Sequence, residues 1–219
     1  MTKSEVKARI EAIGIIPAVR VSSAEDALFA VEAVSCGGIP IVELTMTTPG
    51  APEIISALVK SHPDLIVGAG TVLDIEAARR CIGSGAQFIT STGLDRETVD
   101  FVKEQDVVII PGALTPTEVM AAWKAGADFV KVYPCSQVGG PAYIRALAAP
   151  FPHVPLIASG GVNQANAGEF IAAGAVALGV GGNLIPREAV HERSKDWIRE
   201  LAHRFVEMVR EAKARRAAK

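Results

Sequence analysis

The chain has 219 residues and a mass of 22.9 kDa, with 22 basic and 24 acidic side chains. Hydrophobic types make up 49% and charged types 21%, which excludes a disordered chain, and a net charge of −2 leaves no electrostatic footprint for nucleic acid or an anionic membrane. Mean hydropathy is +0.30, yet the longest uncharged stretch near the C-terminus, Phe170 to Pro186, is broken by four glycines. It reads as helix end, strand and loop rather than the ~20 apolar residues of a membrane span.

Met1 to Ile13 is charged and amphipathic, which predicts an extra N-terminal helix instead of a secretory signal and points to a cytoplasmic protein. Short β-branched runs then begin near Ile16, Pro40, Leu65, Gln87, Val107, Asp128, Pro155 and Ala175, at intervals averaging about 23 residues. That interval holds one short strand, one helix and two tight loops. Four strands are announced by glycine, at Gly37-Gly38, Gly85, Gly126 and Gly174, where a left-handed residue would stop the preceding helix. Helix starts are marked by Ser23 before Asp26, Thr115-Pro116 before Glu118, and the caps Asp74 and Asp95. Strict alternation argues for a parallel sheet, and eight units for its closure into a (β/α)8 TIM barrel. No composition shift or linker interrupts it, so residues 1–219 read as a single domain. The Ala- and Arg-rich segment Lys213 to Lys219 reads as the fraying end of the last helix.

Barrel strands are filled inside and covered outside, so their interiors should be apolar. Arg20, Glu43 and Lys131 break that rule at the first, second and sixth strands. Of nine lysines only Lys131 lies inside an apolar strand, and of 24 carboxylates only Glu43 does. A buried structural ion pair is the plain explanation, because buried charges need partners. The other explanation is chemical. A lysine buried among apolar groups is a nucleophile able to form a Schiff base with a carbonyl substrate, and a neighbouring carboxylate is a suitable proton shuttle.

Two loops resemble an anion site. Ser159-Gly160-Gly161 follows the seventh strand and Gly181-Gly182-Asn183 the eighth, the usual phosphate position in this architecture. Gly68-Ala-Gly70-Thr71 adds a hydroxyl on the same rim, with a helix-opening threonine as its alternative. His62, His153, His191 and His203 are scattered with none at ligand spacing, so neither a metal nor a cofactor is expected. His191 and His203 read as surface residues, and Trp123 and Trp197 as packing residues. Cys36, Cys81 and Cys135 form no CxxC pair and suggest neither disulfides nor a zinc knuckle; Cys135 reads as a buried filler.

Glu43, Gly68–Thr71, Phe129-Val-Lys131-Val-Tyr-Pro134, Gly139–Arg145, Ala149–Pro152 and Ser159–Gly161 together resemble the KDPG/KHG aldolase family. Its members are class I pyruvate aldolases of (β/α)8 fold, usually homotrimers. The resemblance implies Lys131 as Schiff-base lysine, Glu43 as general acid/base and Thr71 as a substrate-orienting hydroxyl. It also implies a phosphate site at Ser159, Gly160, Gly161, Gly181, Gly182 and Asn183. Three positions depart from the common pattern. Thr47 stands where some members hold the pyruvate carboxylate with arginine, and Arg20 closing strand one takes that place, as in other members. Thr92 replaces a common proline, and Asn183 a common serine.

The reading is a metal-independent lyase that cleaves a phosphorylated 2-keto-3-deoxy sugar acid to pyruvate and glyceraldehyde 3-phosphate. Its substrate is a small 2-oxo acid, with 4-hydroxy-2-oxoglutarate as a close variant. Alternatives are action on the galactonate epimer or an unphosphorylated acid, a phosphate-barrel isomerase or synthase using no imine, and a non-catalytic trimeric barrel for binding or assembly.

Overall fold

The computed structural model describes residues 1–218. Nine parallel strands form one sheet: β1 (Ile15–Val19), β2 (Ile41–Thr45), β3 (Ile66–Gly70), β4 (Phe88–Thr90), β5 (Val108–Ile110), β6 (Gly112–Ala113), β7 (Val130–Val132), β8 (Leu156–Ser159) and β9 (Ala177–Val180). Their spatial order is β5-β4-β3-β2-β1-β9-β8-β7-β6. The two edges, β5 and β6, are halves of one strand split at Pro111, which has no N–H to give. Across the split the Lys131 N–H donates to the Pro111 carbonyl at 2.9 Å, and the Asp128 N–H to Ile109 at 3.0 Å. The sheet therefore closes, and the eight expected strands are present, each starting within two residues of its expected position.

The intervening helices are α2 (Ala24–Cys36), α3 (Ala51–Ser61), α4 (Ile75–Gly83), α5 (Arg96–Glu104), α6 (Pro116–Lys124), α7 (Pro141–Ala148) and α8 (Ala167–Ala172). Their starts follow the sequence. Ser23, Asp74 and Asp95 each accept from the N–H three residues on, and Thr115 and Glu118 form a reciprocal capping box with Pro116 behind Thr115. Sheet residues such as Ile66, Val67, Phe88, Ile89, Ile110 and Val130 are fully buried, as strands covered on both faces require.

α1 (Lys3–Ile13), the expected extra helix, buries Val6 and Ile10 and lies against β5 and β9. It also answers a charge. The buried Asp128 carboxylate, just ahead of β7, meets Lys3 at 2.9 Å and Lys7 at 3.1 Å, and accepts from the Ile109 N–H. After β9 come α9 (Arg187–His191) and α10 (Lys195–Ala217).

The end of α10 corrects the expectation of fraying. The Lys213 ammonium donates to the main-chain carbonyls of Glu11 and Ala12, and Arg216 donates to those of Ile171 and Ala175. The Glu11 and Ala12 carbonyls in the last turn of α1 lack helical partners and Lys213 supplies them, while the Ile171 carbonyl, which already accepts from the Gly174 N–H, gains Arg216 as a second donor. Lys219 lies outside the described residues. Trp197 is corrected too: it is 40% exposed, whereas Trp123 is half-buried with its ring edge against His153. His191 and His203 are exposed, and Cys135 is buried. Among the described residues no helix is long and apolar enough to cross a membrane.

Candidate active site

Strand pairing sets the centre of the site. Glu43 lies mid-way along β2 and is 4% exposed, and Lys131 on β7 is 7% exposed. On the neighbouring β3, Gly70 leaves the space that the carboxylate fills, since a Cβ there would sit 1.9 Å from Glu43 Oε1. Lys131 Nζ stands 3.8 Å from Glu43 Oε2. Between them lies Thr90, the last residue of β4 and itself buried. Its hydroxyl accepts from Lys131 Nζ at 3.4 Å and donates to Glu43 Oε2 at 3.0 Å.

These groups open into a cavity of ≈ 330 Å³. The same cavity is lined by Arg20, Thr71 and Thr92, by Ser159, Gly160 and Gly161, and by Gly181, Gly182 and Asn183. All eleven residues singled out in the sequence therefore meet in one place. Arg20 is not a buried charge. It follows β1 directly, is exposed, and forms no ion pair among the described residues. Thr47, also exposed, lines an adjoining basin and not this cavity. Thr71 does not open a helix, because Asp74 caps α4; it holds φ +57°. A β-branched residue in the left-handed region is a true outlier, kept where the surrounding structure enforces it.

The two glycine loops carry free donors. The N–H groups of Gly160, Gly161, Val162, Gly181, Gly182 and Asn183 donate to no protein acceptor among the described residues. A row of such donors beside a cavity suits an oxyanion. The Asn183 side chain is engaged otherwise: its Nδ2 donates to the Val162 carbonyl at 2.8 Å and ties the two loops together.

The sequence reading missed three residues of the site. Thr90 is a β-branched residue in a strand and carries no signal there. Tyr133, 37% exposed, lines the cavity with its ring centroid 5.9 Å from Lys131 Nζ; its strand-end position beside Lys131 was the available clue. Arg187 enters from the start of α9, outside any motif. Burial pushes the Cys135 thiol, next to the site, up to about 11. Among the described residues no group of three or more His, Cys, Asp or Glu is placed to hold a metal ion.

Closed parallel barrel, buried amine–carboxylate pair and free N–H loops together define a (β/α)8 lyase. The family model described as "Aldolase: KDPG and KHG aldolase" matches residues 6–201. The KHG/KDPG aldolase of Escherichia coli (strain K12) is 34% identical over 194 residues, 88% of this chain and 91% of that protein. The chain belongs to the KDPG and KHG aldolase family. Among solved structures, the KDPG aldolase of Legionella pneumophila, holding pyruvate as a covalent carbinolamine intermediate, superimposes with a TM-score of 0.84 at 30% identity, covering 90% of this chain and 96% of that one. A cube-shaped protein cage designed by fusing symmetric oligomeric domains gives 0.85 at 30% identity, covering 94% and 75%.

Proposed function

We propose that the protein is a class I aldolase that reversibly cleaves 2-dehydro-3-deoxy-6-phosphogluconate into pyruvate and glyceraldehyde 3-phosphate, and that it also accepts 4-hydroxy-2-oxoglutarate. The observation that carries this is the buried Lys131 amine, 3.8 Å from Glu43 Oε2, in a cavity lined by two loops of free N–H groups.

Lys131 Nζ adds to the C2 ketone, and the carbinolamine loses water to give a protonated imine. Glu43 takes the proton of the C4 hydroxyl. The O–H electron pair becomes the aldehyde C=O, the C3–C4 bond breaks, and its electrons form the enamine at C2–C3, neutralising the iminium. Glyceraldehyde 3-phosphate departs, Glu43 returns a proton to C3, and water hydrolyses the imine to pyruvate and free Lys131. Arg20 holds the carboxylate common to all 2-oxo acids, its planar fork matching two oxygens. Thr71 and Thr92 orient the substrate. Ser159, Gly160 and Gly161, with Gly181, Gly182 and Asn183, surround the phosphate. The carbinolamine seen in the Legionella relative supports the first step.

The same reading takes residues 1–219 as one barrel domain acting in the cytoplasm as a homotrimer. The cage relative, built from symmetric oligomeric domains, and the exposed Leu73 and Val138 side chains support assembly. Mass measurement in solution tests it, and a monomer would refute it.

Borohydride reduction in the presence of pyruvate tests the chemistry. A reduced pyruvyl adduct is expected on Lys131 and on no other lysine, and Lys131→Arg should abolish it, because a guanidinium stays protonated. Undiminished trapping in that variant would overturn the assignment.

A further inference from the structure

We propose that Thr90 is a positioning residue that relays protons between Lys131 and Glu43; the inference rests on the Schiff-base reading of the site. The direct Nζ–Oε2 separation of 3.8 Å is too long for a hydrogen bond, while both legs through the Thr90 hydroxyl lie within hydrogen-bonding distance, 3.4 and 3.0 Å. Imine formation demands this transfer. Forming the protonated imine moves two protons from nitrogen to the substrate oxygen: one makes the alkoxide a hydroxyl, and one lets that hydroxyl leave as water. Each time the nitrogen proton passes to Thr90 Oγ1, the threonine's own proton passes to Glu43 Oε2, and Glu43 delivers it to the oxygen, first from the Lys131 ammonium before attack and then from the carbinolamine nitrogen. Ammonium and ketone thus become protonated imine and water, with no proton gained or lost. Thr90 also fixes the Glu43 carboxylate that later serves C4 and C3.

Thr90→Val keeps the shape and removes the hydroxyl; Thr90→Ser keeps the hydroxyl. With Thr90→Val, the rate of borohydride-trappable imine formation at saturating pyruvate should fall roughly 10–100-fold, up to the lower end of the usual range for acid–base catalysis. The pyruvate concentration giving half-saturation should change by less than the rate. Thr90→Ser should stay within a few-fold of the wild type, and Thr90→Ala should match Thr90→Val. A wild-type rate in Thr90→Val, or Thr90→Ser as slow as Thr90→Val, overturns the relay. Wild-type protein that traps no pyruvate on Lys131 would instead overturn the aldolase reading, so the two failures are distinct.

The geometry independently points to Arg187 as the residue that recognises a dianionic group on the aldehyde half. A phosphate monoester carries about −1.5 to −2 at neutral pH, and neutral N–H groups do not balance it. Three cationic side chains line the cavity: Lys131, committed to the imine; Arg20, at the end of β1; and Arg187. Arg187 lies four residues beyond Asn183, whose amide is spent on Val162 O. It also lines the adjoining basin of ≈ 660 Å³ and forms no ion pair among the described residues. A free guanidinium at that junction is available for a phosphate.

Arg187→Ala should lower the ratio of kcat/KM for glyceraldehyde 3-phosphate to that for unphosphorylated glyceraldehyde by roughly 10–100-fold, the scale of a charge-assisted hydrogen bond, and Arg187→Lys by less. Inorganic phosphate should compete with the phosphorylated aldehyde more weakly in Arg187→Ala. An unchanged ratio, or a loss that appears equally in pyruvate C3 proton exchange, would overturn the assignment.

Discussion

Lys131 and Glu43 stood out in the sequence because burying a charge costs several kcal/mol unless a partner or a task offsets it, so a lone charge in an apolar strand marks its position. The two residues face each other as a pair and both line the cavity, a geometry compatible with either explanation that the sequence allowed. Arg20 broke the same pattern yet is solvent-exposed, so its signal came from ending a strand and not from burial. Thr90 gave no signal because threonine is an ordinary strand former, and only the spatial neighbours of β4 make its hydroxyl informative. On this geometry Glu43→Gln keeps a side chain of the same shape while removing the base. Imine trapping on Lys131 should survive at a reduced rate, while pyruvate C3 proton exchange into deuterated water, followed by NMR, should slow by roughly 10²–10⁴-fold. Wild-type exchange would return Glu43 to a structural role.

Elements were legible where their signals are local. The caps of α2, α4, α5 and α6 and the glycines ahead of the strands act within a few residues, and the structure reproduces them. The end of α10 was illegible, because what holds it are carbonyls about 200 residues away at Glu11 and Ala12. Removing residues 213–219 should therefore lower the melting temperature by about 5 °C, from loss of on the order of 2 kcal/mol of charged hydrogen bonding, and an unchanged value would show the contacts to be passive. The glycine loops divide in a way the sequence does not reveal. Gly161 has φ +79° and a Cβ would meet Ser136 Oγ at 2.3 Å, so the loop requires glycine whatever it binds. Gly182 has ordinary φ, and a Cβ would meet nothing within 4 Å. A side chain there intrudes only on a ligand. Gly182→Val should lower kcat/KM for phosphorylated aldehydes well below that for unphosphorylated ones, with the fold intact. Arg20→Lys should weaken every substrate, pyruvate included, since all share the 2-oxo acid end. Equal losses across both aldehydes in Gly182→Val, or a loss confined to phosphorylated ones in Arg20→Lys, would reverse the orientation of the substrate.

Closure of the barrel brings residues from β1, β2, β4 and β7 into one chamber, and it also buries groups that then govern the response of the whole molecule to pH. Cys81 on α4 and Cys135 beyond β7 are buried, and burial pushes both thiols from an ordinary 9.0 to about 11. A buried thiolate is disfavoured, so the folded chain keeps these protons after the unfolded chain has released its own. Between pH 9 and 11 the unfolded state binds fewer protons than the folded one, and linkage then requires stability to fall as pH rises through that window. Below pH 9 both states hold the protons and the contribution is complete. The Lys213 amine, lowered by burial, works in the opposite direction just below its ordinary value, so the thiol effect is isolated by difference. The melting temperature of the Cys81→Ala/Cys135→Ala protein should fall less steeply between pH 9 and 11 than that of the wild type, even if its value at pH 7 is lower because two buried side chains are truncated. In the wild type at pH 8, iodoacetamide should label the exposed Cys36 alone, with Cys81 and Cys135 reacting only after unfolding. Parallel melting curves for the two proteins, or labelling of Cys135 in the native state, would mean that the site side of the barrel admits water more freely than this packing allows.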